Sequence, residues 1–178
     1  MMPYKRTAFV LCIVALLISA SPSSISLAAD GQPFGPILGG VKSVYIQAEP
    51  FSPETEEKGI AAAQVRKTTE QQLRKAGIKV LSEKEYSNFR LTGSYPMARL
   101  DISVSIDQIE VADTPLSVNF IVVKARQQAF LGRKPSIRFF ATTWQRQEIN
   151  YSSDPADVHG VIREIVNEFI SAYSAANR

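Results

Sequence analysis

The chain has 178 residues, with 20 Lys and Arg, 17 Asp and Glu, one cysteine and one histidine. Lys5 and Arg6 lie in the N-terminal stretch, so residues 30–178 carry 18 basic and 17 acidic side chains. This balance does not support nucleic-acid binding, and the chain has no nucleic-acid recognition motif. Because Cys12 is the only cysteine, residues 30–178 cannot contain a disulfide, a thiolate metal site or a cysteine nucleophile.

The first 29 residues have the pattern of a secretory signal peptide. A basic pair precedes an apolar run over residues 8–18, which is shorter than the roughly 20 apolar residues that span a bilayer. Cleavage is expected after Ala28 or Ala29, so we predict a periplasmic or extracellular protein with no transmembrane segment after cleavage. A signal retained as a membrane anchor is the alternative. Cys12 lies inside the apolar run, and we therefore predict that the protein is not a lipoprotein.

A leader and a strand-helix-strand unit are predicted next. Residues 30–40 contain four glycines and two prolines and are expected to form a flexible leader. Residues 41–47 are rich in β-branched and aromatic side chains, which favours a first strand. A helix is predicted to begin at Ser52 and to end at Gly77, followed by a second strand over residues 78–81.

The middle of the chain predicts a short helix and three strands. Ser82 and Glu85 form a capping box that begins the helix. Apolar and polar residues then alternate over residues 100–107, which is typical of a half-buried strand. Two further strands are predicted over residues 116–131 and 136–149. The short turns between these three strands indicate an antiparallel meander.

The last helix completes the predicted fold. Asp154 is a typical helix cap, and the apolar residues after it recur at spacings of three and four. These residues form one stripe, which we expect to pack on the sheet: Val158, Ile162, Ile165, Phe169, Ala172 and Ala176. We predict that residues 41–178 form a single α+β domain, a two-layer sandwich with a mixed sheet of about five strands and the C-terminal helix on one face.

Charge is segregated within the meander. Between Thr114 and Gln147 there are six basic residues and no acidic residue: Lys124, Arg126, Arg133, Lys134, Arg138 and Arg146. Lys124 and Arg126 share one face of their strand, because side chains alternate along a strand. The same rule predicts a second set on one face: Arg138, Phe140, Trp144 and Arg146. A change of phase near residues 122–124 indicates a bulge, which would redirect the basic side chains that follow it.

These residues favour a binding function. We expect a non-enzymatic cell-envelope or secreted domain that binds a partner, either a protein or an anionic polymer or lipid headgroup, through residues 124–146. The simpler interpretation is that the basic side chains are solvated and protect a sheet edge against aggregation. Trp144 and the apolar stripe of the last helix are expected to belong to the core.

Two other classes of function are considered. No catalytic motif and no phosphate-binding loop is present, so no cofactor is expected. His159 lies close to Asp154 and Asp157, but no second histidine completes a transition-metal site, and no metal is expected. A small exported hydrolase would instead need dispersed acidic residues to meet His159 in a deep pocket. A structural subunit of an envelope assembly would need a long unpaired strand edge or an exposed apolar patch.

Overall fold

The computed structural model describes residues 35–92, 96–111 and 114–178. The predicted signal peptide lies outside these residues. The helices and strands are α1 (Pro53–Glu57), α2 (Ala62–Lys75), α3 (Glu83–Thr92), α4 (Pro155–Ala176), β1 (Ser43–Ala48), β2 (Met97–Val111), β3 (Thr114–Leu131) and β4 (Lys134–Asn150). A short 3-10 helix over Gly35–Leu38 precedes them.

The described strands form one mixed sheet in the order β1-β2-β3-β4. β1 is parallel to β2, with Ser43 opposite Met97. β2 and β3 are antiparallel, and so are β3 and β4. The α+β class, the mixed sheet and the three-stranded meander are therefore confirmed. β4 lies at one edge of the sheet, and among the described residues no strand pairs with the side of β4 that faces away from β3.

The predicted fifth strand over residues 78–81 is wrong. In this segment only Val80 pairs with β1, through a single parallel bridge to Val44. The Val44 amide donates to the Lys79 carbonyl at 2.8 Å, and the Leu81 amide donates to the Val44 carbonyl at 2.9 Å. The segment lies between the turn that ends α2 and the cap of α3, and this leaves too few residues for a regular strand.

The predicted first helix is divided into two. Ser52 caps α1 as expected, since its side chain accepts a hydrogen bond from the Thr55 amide. The helix ends after five residues, and Gly59 then adopts a left-handed conformation with φ +84°. This turn places Ile60 in the core before α2 begins. A side chain other than glycine would be strained at Gly59, so the break is a consequence of its backbone freedom.

The second half of the predicted leader packs on the domain. Leu38 is fully buried in the core. The Gln127 side-chain amide donates to the Ile37 carbonyl at 2.9 Å, and the Asn177 side-chain amide donates to the Leu38 carbonyl at 3.0 Å. The prediction of a flexible leader is therefore wrong for residues 35–40. Leu38 lies among the glycines of this segment, and its burial holds the segment against the core.

Helices α2 and α4 cover one side of the sheet, which we call the inner side. The apolar residues of the half-buried β2 pattern face these helices, as Leu100, Ile102 and Val104 do. Trp144 packs edge-on against Phe169 of α4, with ring centroids 5.3 Å apart. The predictions that Trp144 is a core residue and that α4 packs on one face of the sheet are confirmed.

Helix α3 covers part of the opposite, outer side. Tyr45 of β1 stacks on Tyr86 of α3 with ring centroids 3.9 Å apart. The predicted capping box is confirmed, because the Ser82 amide donates to the Glu85 carboxylate at 2.8 Å and the Glu85 amide donates to the Ser82 hydroxyl at 3.3 Å. The outer side of β3 and β4 has no other helix over it among the described residues. None of the described helices is both long and apolar enough to cross a bilayer.

Candidate functional site

A cluster of charged residues lies on the outer side of β2 and β3. Lys124 is opposite Asp101, and Arg126 is opposite Arg99. The Asp101 carboxylate lies between two guanidinium groups, 2.7 Å from Arg99 Nε and 3.1 Å from Arg126 Nε. Lys124 and Arg126 thus share one face, as the sequence predicted. The cluster contains one carboxylate, two arginines that contact it and Lys124 opposite it on β3, and it therefore has a net positive charge.

Arg99 is the most enclosed cation of this cluster. Its guanidinium carbon lies 5.0 Å from the centre of the Phe140 ring, and Nη1 donates to the Tyr86 hydroxyl at 3.5 Å. Burial lowers the pKa of Arg99, but hydrogen bonds to Asp101 and Tyr86 outweigh it and raise the pKa above the ordinary arginine value. The guanidinium is therefore charged, and it holds Asp101 in place.

Beyond this cluster, β3 and β4 project past the start of β2. The pairing of β2 with β3 ends where Ala98 meets Gln127. Residues 128–140 therefore form a two-stranded ribbon with no paired β2 strand. Arg133 and Lys134 lie exposed at its turn. We call residues 126–142 the basic hairpin, since it carries Arg126, Arg133, Lys134 and Arg138 and no acidic residue.

The basic hairpin also exposes large apolar side chains. Phe130, Ile137 and Phe139 are 52%, 44% and 46% exposed. The Arg138 guanidinium carbon lies 5.5 Å from the centre of the Phe130 ring, which is within cation–π range. Phe130 points to the outer side, whereas Phe139 is opposite Ala129 and points to the other side. The ribbon therefore exposes apolar side chains on both of its sides, next to basic side chains.

The predicted bulge lies at a different place. The alternation of β3 continues through residues 122–124 without interruption. The register shift comes later, where Ala125 is opposite Trp144 and the next β3 residue is opposite Thr142. Thr143 is thus the extra residue, and it belongs to β4. Its hydroxyl donates to the Ala125 carbonyl at 3.3 Å, which supports the irregular backbone.

This bulge contradicts the prediction that four β4 side chains share one face. Arg138 and Phe140 lie on the outer side, whereas Trp144 and Arg146 lie on the inner side. Arg146 Nε is 3.4 Å from the Glu168 carboxylate of α4. Arg146 therefore forms an ion pair with a helix, and the sheet separates it from Lys124, Arg126 and Arg138.

The opposite end of the sheet is acidic. It contains residues 49–58, 107–111 and 148–157, where β1, β2 and β4 end, and these segments carry nine acidic residues and one basic residue, Lys58. A shallow cleft of about 580 Å³ at this end is lined by Glu54, Glu57, Lys58, Ile106, Asp107 and Gln108. We call this region the acidic end. The molecule is strongly polarised, although its net charge is small.

The region around His159 does not form a catalytic arrangement in the described residues. His159 is half-buried in the first turn of α4 and does not line the cleft at the acidic end. Asp154 accepts a hydrogen bond from the Ala156 amide at 2.8 Å, and Asp157 accepts one from the Ser152 hydroxyl at 2.5 Å. The described ranges contain no group of three or more His, Cys, Asp and Glu that could hold a metal ion.

Sequence reasoning missed two parts of this surface. Arg99 lies just before the alternating pattern over residues 100–107, and only the pairing of β2 with β3 places it beside Arg126. The apolar residues of the basic hairpin resemble ordinary strand residues in the sequence. One signal in the sequence could have indicated their exposure. Phe130 and Ile137 lie close to the predicted turn, and residues near a turn lie at the surface more often than residues in the middle of a strand.

Comparisons with known proteins show no family. No family model matches the chain, and no curated protein matches it. Among solved structures, the chain is similar to the PelC dodecamer from Paraburkholderia phytofirmans, in space group P6. The two chains are 13% identical, the match covers 81% of this chain and 94% of that chain, and the TM-score is 0.43.

Proposed function

We propose that this protein is an exported, non-enzymatic domain that binds an anionic partner through the basic hairpin. The observation that carries the proposal is one hairpin that exposes three large apolar side chains and carries four basic residues and no acidic residue in its own sequence. Arginine and aromatic side chains are enriched in binding interfaces, and an exposed apolar patch on a soluble domain commonly marks a contact site.

The charged cluster next to the hairpin supports this proposal. Asp101 ion-pairs with Arg99 and Arg126 and so limits their freedom of movement. Cations that are already positioned lose less conformational entropy when an anion binds. Because Asp101 balances only one of the neighbouring charges, the surface still attracts anions. Lys124 extends this positive surface along the outer side of the sheet.

The predicted signal peptide supports a partner outside the cytoplasm. A periplasmic or extracellular domain meets acidic envelope polymers, anionic lipid headgroups and acidic proteins. Basic residues that only protected a sheet edge would not need exposed phenylalanine and isoleucine side chains between them. The mixed basic and apolar character of the hairpin therefore favours binding over edge protection.

The test is capture of partners in the native envelope by crosslinking and mass spectrometry. The variant carries Arg133→Glu, Lys134→Glu and Arg138→Glu. Its matched control carries Lys67→Glu, Lys75→Glu and Arg163→Glu, three exposed helix residues away from the hairpin. We expect the hairpin variant to lose at least about nine-tenths of the capture, since each reversal replaces attraction by repulsion. Equal capture by the two variants would contradict the proposal.

A second candidate function is that of a subunit in an assembly of identical chains. Two observations favour it. β4 is a 17-residue edge strand whose outward edge is unpaired among the described residues, and the acidic end complements the basic hairpin in charge. Contacts between unlike ends would join copies head to tail. Light scattering of the wild type should then show oligomers, and the hairpin variant should be monomeric. A monomeric wild type at all concentrations would contradict this function.

A further inference from the structure

We infer that the anionic partner of the basic hairpin is a phospholipid surface, an inference that rests on the proposed function. The first argument is geometric. Phe130 and Phe139 point to opposite sides of the ribbon. A rigid protein surface would cover only one of these sides, whereas lipid headgroups and the first part of the acyl chains can surround a shallow ribbon.

The charges of the hairpin fit a headgroup region. Arg133 and Lys134 lie at the turn, and Arg138 lies over Phe130. Long basic side chains can hold their charge at the level of the lipid phosphates while their aliphatic parts contact apolar neighbours. This arrangement predicts that the turn end of the hairpin inserts shallowly into the headgroup region and does not cross the bilayer.

The polarity of the whole molecule supports the same orientation. The acidic end lies at the opposite end of the sheet from the hairpin turn. An anionic surface therefore attracts one end of the molecule and repels the other, which orients the protein before contact. A neutral surface would give no such orientation.

The chain before the described residues enters at this same end. The Gly35–Leu38 turn is held against the base of the hairpin, because Gln127 donates to the Ile37 carbonyl at 2.9 Å. The apolar run over residues 8–18 lies 17 residues before Gly35 and is thus within about 60 Å of it along an extended chain. The chain that precedes Gly35 therefore joins the domain at the end that carries the basic hairpin.

The experiment is flotation of the purified exported protein with lipid vesicles. Vesicles of phosphatidylglycerol and phosphatidylcholine are compared with vesicles of phosphatidylcholine alone. One variant carries Phe130→Ser, Ile137→Ser and Phe139→Ser, and another carries Arg133→Glu and Lys134→Glu. The matched control carries Ile109→Ser and Val111→Ser, two exposed apolar residues at the acidic end. Thermal unfolding checks that all proteins are folded.

We expect the wild type and the control to bind the anionic vesicles at least about tenfold more strongly than the neutral vesicles. Each hairpin variant should bind the anionic vesicles about tenfold more weakly than the wild type does. If the apolar variant does not fold, the vesicle binding of the charge variant still tests the inference, because its two substitutions are at exposed residues of the turn. Equal binding to both kinds of vesicle, or unchanged binding of a folded apolar variant, would overturn the lipid inference.

A parallel measurement separates this inference from the proposed function. Binding to a soluble polyanion, polyglutamate, is measured without lipid for the wild type and the charge variant. If the charge variant loses polyglutamate binding and the wild type does not bind vesicles, the lipid inference fails and the proposed function stands. If the wild type binds neither probe and captures no partner, both fail. The inference would also be overturned if the wild type forms oligomers and does not bind vesicles, and the charge variant is monomeric. The partner of the hairpin would then be a second copy of the chain.

Discussion

The two sides of the sheet are built in different ways. The inner side packs aliphatic and aromatic residues of β2, β3 and β4 against α2 and α4 in one large core. The outer side has a small apolar cluster under α3 and a charged network around Asp101, and beyond these its strands are exposed. The comparison teaches that stability and surface chemistry are separated in this domain, since most apolar burial is on the inner side.

This separation allows the exposed surface to vary at little cost in stability. The basic hairpin extends past the start of β2. Exposed side chains contribute little to the free energy of unfolding, and changes among them are usually small. Substitutions on the two sides of the sheet should therefore have different consequences.

The largest expected effect is on the inner side, at Phe169. Its ring is fully buried and contacts Trp144 and Tyr173. Phe169→Ala should lower the free energy of unfolding by about 3–5 kcal/mol, because it removes buried surface and leaves a cavity. Urea unfolding followed by circular dichroism measures this change.

The matched substitution on the hairpin is Phe139→Ala. Because the Phe139 side chain is largely exposed, we expect a change of about 0.5 kcal/mol or less in the same experiment. Similar losses for Phe139→Ala and Phe169→Ala would show that the hairpin is part of the core, and the separation of the two sides would be wrong.

An intermediate effect is expected on the outer side, at Asp101. Asp101→Ala removes the carboxylate shared by Arg99 and Arg126, and it leaves two partly buried cations close together. We expect a loss of about 1–2 kcal/mol in unfolding free energy, since solvent screens part of the repulsion. The control is Asp107→Ala, an exposed carboxylate on the same face of β2. No difference between the two variants would mean that the charged network is not structural.

The smallest effect appears only in alkaline solution, at Tyr45. Burial and the hydrogen bond from Tyr45 to Glu83 raise the pKa of the Tyr45 hydroxyl above its ordinary value near 10. The unfolded chain then loses this proton at lower pH than the folded chain. Stability from this group is present below about pH 10 and is lost as pH rises through the folded pKa.

The corresponding variant is Tyr45→Phe. Its unfolding free energy should fall less steeply above about pH 10 than that of the wild type. Some decrease remains, because burial also raises the pKa of Tyr173. Identical pH profiles for Tyr45→Phe and the wild type, measured by urea unfolding from pH 8 to 11, would exclude a contribution from Tyr45.

Local patterns in the sequence predicted much of this fold. The spacing of Val158, Ile162 and Phe169 predicted α4, and the alternation over residues 100–107 predicted β2, because side-chain periodicity depends on local backbone geometry alone. Ser82 and Asp154 predicted helix starts for the same reason, since a cap bonds to amides within three residues. These predictions are confirmed by the helix and strand bounds.

Other features depend on residues that are distant in the sequence. Val80 makes only one bridge, because the space beside β1 is limited by the turn after α2 and the start of α3. Thr143 is an extra residue only relative to β3, so β4 alone could not reveal it. This one residue moves Arg146 to the inner side and separates it from Arg138.

The candidate site shows the same division. The sequence by itself determined the amphipathic elements, the turns and the excess of basic residues between Thr114 and Gln147, all of which follow from neighbouring side chains and local backbone preferences. Only the tertiary structure decided that Arg99 and Asp101 join Arg126, and that Phe130 lies beyond the start of β2. The physical reason is that exposure and ion pairing depend on what lies across the sheet, and strand register determines this.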